Sequence, residues 1–206
     1  MPEKMRLYHS PTTPFGRKVV VLLMETGQDA DVEVVEVAGT PLAPGSLPLD
    51  RNPLGKIPAL DRADGGALHD SRGPRRYLDE RAGTDLYPKG EALWPTLTLE
   101  ATADGMMDAG VLMVYEMRIR PEDKRFADWT EAQWGKIARA LDHLEANRLP
   151  QLAGPLDMGQ IALACALGYL DFRHDARGWR NGRPGLAKWF EAISRRPSLM
   201  ATVPQA

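Results

Sequence analysis

The chain has 206 residues, with 26 lysines and arginines against 28 aspartates and glutamates and a formal net charge of −2. That balance offers neither nucleic acid nor an anionic membrane surface a complementary field, so both are excluded as expected partners. The longest apolar stretches, residues 19–24 (VVVLLM) and 161–167 (IALACAL), are too short to span a bilayer, and the single cysteine, Cys165, leaves no internal disulfide and no CxxC redox or zinc site.

From the beginning of the chain, residues 5–9 form a candidate strand, and SPTTPFG at 10–16 supplies turn chemistry. An apolar helical run over 15–26 follows, beginning near Pro14 or Phe15 and ending at Gly27. DVEVVEV at 31–37 alternates with period two and predicts a second strand, which completes a βαβ unit. A Pro-rich loop spans 39–52. NPLGKIPAL at 52–60 then reads as a loop entering a third strand through an Ile-Pro bond, because Pro58 lacks an N–H and belongs at a strand mouth. A cis bond there would leave the backbone of Ile57 free to pair with an extended ligand. After the turn DRADGGA come a short strand near 67–69 and a helix finishing in RRYLDERAG, so the order continues as ββα.

Beyond Tyr87 and Pro88 no convincing strand is found. Apolar periodicity predicts helices over 94–117, 129–149 and 161–172, and a last one in LAKWFEAISRRP that stops before Pro197. The expected organisation is an α/β thioredoxin-like domain over 1–82, a linker over 83–90 and an all-helical domain over 91–206. The opening MPEK leads directly into the first strand without a secretory pattern, so a cytoplasmic location is expected.

Segments in fixed order carry a wider likeness: SPTTPFGRKV from Ser10, NPLGKIPAL from Asn52, LHDS at 68–71 with YLDE at 77–80, and LDMGQIALACALGYLDFR at 156–173 followed by WFEAISRRPS. Together they resemble the cytosolic glutathione transferases, most closely small bacterial members. The resemblance implies a thioredoxin-like domain joined to a helical domain, reduced glutathione as co-substrate, a small-molecule electrophile, a homodimer and a role in detoxification. Two positions depart from the family pattern. Gly73 and Pro74 follow the acidic-Ser pair where an aliphatic pair is usual, although proline is tolerated in a first helical turn. Gln160 replaces an aspartate in a capping box, and its side chain is expected to reach back to the cap.

Glutathione chemistry needs a thiolate near neutral pH, while a free thiol titrates near about 8.5. Lowering that by about two units requires about 2.7 kcal/mol of preference for the anion. A helix N-terminus offers about 0.3–2 kcal/mol and a hydrogen bond to a charged group about 1.5–3 kcal/mol, so together they suffice. Thr13 is favoured as the activating hydroxyl, since the resemblance places a nucleophilic Cys or an activating Ser just before Pro-Phe; Ser10 and Thr12 are the alternates. Tyr8 is a rival hydroxyl, more simply read as core or interface packing. No cysteine lies near the turn, which argues against glutathione–enzyme disulfide exchange.

Phe15, Lys56, Ile57, Pro58, Asp70 and Ser71 are the expected glutathione-binding residues. Asp70 would take the γ-glutamyl ammonium, Ser71 its carboxylate at a helix start, Ile57 the cysteinyl backbone and Lys56 the glycyl carboxylate. Arg17, Lys18 and Arg72 could add positive potential. Met107, Val111 and Tyr115 are nominated for the electrophile pocket, although an apolar helical stripe also suits a core. His9, His69, His143 and His174 show no ligand spacing, so no metal is expected. Glutathione-dependent isomerisation or dehalogenation, and a non-catalytic glutathione-binding or partner-binding module, remain as alternative functions.

Overall fold

The computed structural model describes residues 4–205; residues 1–3 and 206, the outer ends of the two expected domains, lie outside the described residues. Strand β1 (Met5–His9) is followed by helix α1 (Pro14–Glu25), strand β2 (Val32–Glu36), strands β3 (Ala59–Asp61) and β4 (Ala67–His69), and helix α2 (Arg72–Ala82). The sheet order is β2-β1-β3-β4. β1 pairs with β2 in parallel, while β3 runs antiparallel to both β1 and β4. This is the mixed sheet of a thioredoxin-like domain, as the βαβ-ββα pattern predicts.

Period-two burial selects the faces of this sheet. Met5 and Leu7 turn inward, while Arg6 is exposed and Tyr8 is half-buried. The first core joins these residues to Val19 and Leu22 of α1, Leu60 of β3 and Leu78 of α2. Helix α2 ends at Gly83, which has φ +64, a left-handed conformation in which a Cβ is unfavourable.

The remainder is helical: α3 (Leu93–Arg118), α4 (Ala127–Asn147), the short α5 (Leu149–Leu152), α6 (Met158–His174), α7 (Pro184–Ile193) and α8 (Pro197–Ala201). Helix α8 lies where the sequence reading stopped, at Pro197. A proline is well suited to a first helical position, and Pro197 starts a turn there.

Helix α6 belongs to both cores. Its Ile161 and Cys165 pack with the sheet domain, and Leu163 and Leu167 pack with Met106 of α3 and Ile137 and Leu141 of α4. Asp157 caps it by accepting from the Gln160 amide N–H at 2.8 Å and from the Thr96 hydroxyl at 2.8 Å. The reciprocal half of the expected box is not formed. Gln160 Nε2 donates to the Pro155 carbonyl at 2.8 Å, so its side chain is engaged by the loop before the helix.

Candidate functional site

Strand register brings the sequence-predicted segments to one end of the sheet. Tyr8 pairs with Ala59, and Ala59 pairs with His69. The residues next in line on each strand, Ser10 after β1, Pro58 before β3 and Asp70 after β4, therefore leave the sheet at a common edge. Neighbouring strands are about 4.8 Å apart, so three separated stretches of chain converge within reach of one small peptide.

The first is the turn into α1. Thr13 occupies the N-cap in extended conformation, yet its side chain makes no capping bond. Its backbone N–H donates to the Ser10 carbonyl at 3.0 Å, and the Ser10 and Thr12 hydroxyls lie 3.2 Å apart. No described residue accepts from the N–H groups of Phe15 or Gly16. The helix thus opens with free donors beside a half-buried hydroxyl, an arrangement that favours an anion. Phe15 is partly buried against the helical core. Tyr8 points to the other face of the sheet and donates to Asp61 at 3.1 Å.

The second stretch is the loop into β3. The Ile57–Pro58 bond is cis. Asn52, 1% exposed, shapes the approach: its side-chain amide donates to the Lys56 carbonyl at 2.8 Å and its oxygen accepts from the Leu54 N–H at 3.0 Å. Among the described residues the N–H and C=O of Ile57 have no backbone partner, so its main chain is available to an added strand. Lys56 is exposed.

The third is the start of α2. Asp70 adopts φ +61, a left-handed conformation rare outside glycine, and strain of this kind is concentrated at binding sites. Its carboxylate accepts from the Arg72 amide at 3.1 Å and from the Arg72 guanidinium at 3.3 Å. Burial works against that charge, but the Arg72 bonds outweigh it and hold the carboxyl below its ordinary range. Ser71 is the N-cap of α2 and is 4% exposed, and its hydroxyl makes no capping bond. Gly73 and Pro74 sit within the first turn without breaking the helix.

Beneath this edge lies a buried charge network that the sequence reading missed. Lys18 of α1, fully buried, pairs with Asp104 of α3. Arg75 of α2, also fully buried, lies 3.0 Å from Glu100 and 3.5 Å from Asp104. Its Nε and Nη1 have no hydrogen-bond partner among the described residues, and even the Glu100 contact lacks hydrogen-bond geometry. Burial, then the Arg75 charge, lowers the Lys18 ammonium to about 8. The available signal was polar residues at apolar helical phase, at Lys18 before VVVLLM and at Glu100 and Asp104 inside a Met-rich run. Arg17 is committed elsewhere, donating to the Leu199 carbonyl at 3.0 Å.

On α3 the three pocket nominees separate by helical phase. Met107 is 1% exposed inside the α3–α6 core, Val111 is half-buried, and Tyr115 is 37% exposed with Leu112 beside it. Asp108 begins this outward stripe; burial raises its carboxyl, then Asp104 adds to the rise, while Lys56, Lys18 and Arg72 oppose it. Cys165 is fully buried, and burial pushes its thiol upward, so it is no nucleophile.

Comparison with known proteins places this arrangement in context. The family description "Glutathione S-transferase, N-terminal domain" matches residues 12–81, and "Glutathione S-transferase, C-terminal domain" matches residues 127–192. A glutathione transferase family member from Pseudomonas fluorescens Pf-5, crystallised with bound glutathione, superposes with TM-score 0.96 at 47% identity, covering 98% of this chain and 100% of that one. A second crystal structure of a family member from that strain holds S-(propanoic acid)-glutathione, with TM-score 0.92 and 46% identity over 98% and 100% of the two chains. The uncharacterized GST-like protein YibF of Escherichia coli K12 is 35% identical over 97% of this chain and 98% of its own length. Glutathione S-transferase 3 of Zea mays is 31% identical over 97% and 93%. With both domain descriptions matched and full-length relatives above 30% identity, this chain belongs to the glutathione S-transferase family.

Proposed function

We propose that the protein is a glutathione transferase that adds the glutathione thiolate to small electrophiles. The observation that carries this reading is the convergence, at one sheet edge, of unpartnered α1 donors, the free main chain of Ile57 beside cis-Pro58, and the Asp70–Ser71 pair. Relatives crystallised with glutathione and with a glutathione thioether support the same ligand here. Asp70 takes the γ-glutamyl ammonium and Ser71 its carboxylate. Ile57 pairs with the cysteinyl backbone, and Lys56 meets the glycyl carboxylate. The thiol then lies at the α1 N-terminus, where Thr13 donates to the thiolate; Ser10 and Thr12, which lie within hydrogen-bond distance of each other, are the alternates. The electrophile enters along the outward stripe of α3. The active unit is a cytoplasmic homodimer acting in detoxification, in keeping with the family.

The electrostatics are sufficient. A hydroxyl bond to the anion contributes about 1.5–3 kcal/mol and the helix terminus about 0.3–2 kcal/mol, enough to bring a thiol from about 8.5 into the neutral range. Steady-state conjugation of a chloro-nitrobenzene substrate tests the assignment. Thr13→Ala is expected to lower the rate about 10- to 100-fold and to move the thiol's apparent pKa toward about 8.5. Unchanged rates in both Thr13→Ala and Ser10→Ala would remove the hydroxyl from the mechanism.

A further inference from the structure

His9 ends β1 on the face that carries Met5 and Leu7, because side chains alternate along a strand. That is the face α1 covers, and the ring lies against the helix's first turn. A Cβ built on Gly16 would collide with His9 Nδ1 and stand 3.1 Å from His9 Cε1; the same Cβ would lie 2.9 Å from the Thr13 methyl. Ring and methyl therefore meet beside Gly16, where only a glycine leaves room for both. His9 Nδ1 is buried without a hydrogen-bond partner among the described residues, so on this side the ring offers shape rather than a bond. Burial lowers the imidazole to about 4, well below the range in which thiols ionise, so the ring stays neutral there.

Threonine carries its methyl and its hydroxyl on one carbon, and a β-branched side chain has few rotamers available. With the methyl seated against the ring, the direction of the hydroxyl is set as well. An N-cap threonine ordinarily turns its hydroxyl to the N–H of the second or third helical residue, here Phe15 or Gly16. Thr13 does not. Its hydroxyl makes no hydrogen bond with a described residue, and the oxygen keeps access to solvent. The other two hydroxyls of the turn, Ser10 and Thr12, lie 3.2 Å apart and are engaged with each other. Thr13 thus presents an unpartnered hydroxyl beside unpartnered helix donors, and the group packed against its methyl is the His9 ring.

We propose that His9 is a positioning residue: its ring braces the Thr13 methyl and so turns the Thr13 hydroxyl off the helix cap and toward the thiolate. The inference deepens the conjugation reading and rests on it for Thr13 as the thiolate's donor. His9 itself touches neither the thiol nor the electrophile. Without the ring, Thr13 is free to rotate about χ1, its hydroxyl takes the vacant cap, and the thiolate loses a donor that is otherwise held in place.

The test is the apparent pKa of the bound glutathione thiol, read from ultraviolet thiolate absorbance in the wild type, His9→Ala, Thr13→Ala and the double variant. His9→Ala is expected to raise that pKa by about one unit, the scale of one hydrogen bond to an anion weakened or lost. Because His9 acts through Thr13, the double variant should show no rise beyond that of Thr13→Ala alone. His9→Asn, whose amide reaches the position of Nδ1, should keep most of the wild-type value. An unchanged pKa in His9→Ala overturns the proposal, and so does a rise that adds in full to that of Thr13→Ala. Nuclear magnetic resonance of the wild type needs no variant, so misfolding of His9→Ala would not protect the idea. It should show the Thr13 methyl close to the His9 ring and a single Thr13 rotamer; averaging over rotamers overturns the proposal. No rise in Thr13→Ala would overturn the hydroxyl reading and this inference together, whereas a rise there without one in His9→Ala overturns only the latter.

Discussion

Replacing Asp104 by alanine removes the one carboxylate that serves both buried cations. Lys18 has a fully buried side chain and Arg75 likewise, whereas Asp104 retains 12% exposure. Without Asp104, only Glu100 remains to balance two positive charges taken out of water. Breaking a buried pair by removing one partner costs about 3–5 kcal/mol. At about 2–4 °C per kcal/mol for a chain of this size, the melting temperature should fall by about 6–20 °C. The double variant Lys18→Met with Asp104→Leu removes the pair together and leaves Arg75 with Glu100, so it should lose less than Asp104→Ala alone. Urea unfolding of the single and double variants measures the coupling directly. The wild type should also gain stability as pH rises through the window from about 8 to 10.5, because the unfolded lysine holds its proton there and the folded one does not. That rise, up to about 3 kcal/mol at 1.36 kcal/mol per unit, should be missing in Lys18→Met. A loss below about 1 kcal/mol in Asp104→Ala, or additive single effects, would refute the network as a unit.

Other expectations concern the elements around the site. Burial lowers His9 to about 4, so the folded protein resists its protonation while the unfolded chain accepts a proton near about 6.5. Stability should therefore fall between those values on acidification, by up to about 3 kcal/mol, and His9→Gln should flatten that limb in pH-dependent unfolding. A Cβ at Gly16 would collide with the His9 ring and lie 2.9 Å from the Thr13 methyl. Gly16→Ala should thus lower both stability and conjugation rate, with His9→Ala in the same chain restoring part of each. Asp157→Ala removes the α6 cap and the acceptor for Thr96, and thermal unfolding should show a loss of about 1–2 kcal/mol with glutathione affinity unchanged.

Much of the fold was legible because local chemistry and tertiary placement agree. Pro14 and Gly27 bound a helix, the alternation of 31–37 makes a strand, and Pro58 enters β3 after a cis bond. The candidate site was legible as three stretches of chain, but their meeting depends on strand register, which no single segment encodes. Burial of charge was the least accessible. Lys18 is marked only by its place before an apolar run, and Arg75 carries no local mark that separates it from surface cations; the packing of α1 and α2 against α3 is what removes both from water. Met107 illustrates a finer difficulty, since α3 is apolar around much of its circumference and the buried phase is set by its contact with α6. The Gln160 Nε2 likewise donates to carbonyls of the loop at 151–155, a contact that the capping-box pattern does not encode.

In the proposed function, glutathione is held at the sheet edge by Asp70, Ser71 and the main chain of Ile57. Titration calorimetry of reduced glutathione into the wild type and Asp70→Ala tests it most directly. Binding is expected in the micromolar to low-millimolar range and should fall at least about tenfold in the variant, the worth of one charge-assisted bond at about 1.4 kcal/mol per decade. Equal binding by both proteins, or none by the wild type, would contradict it.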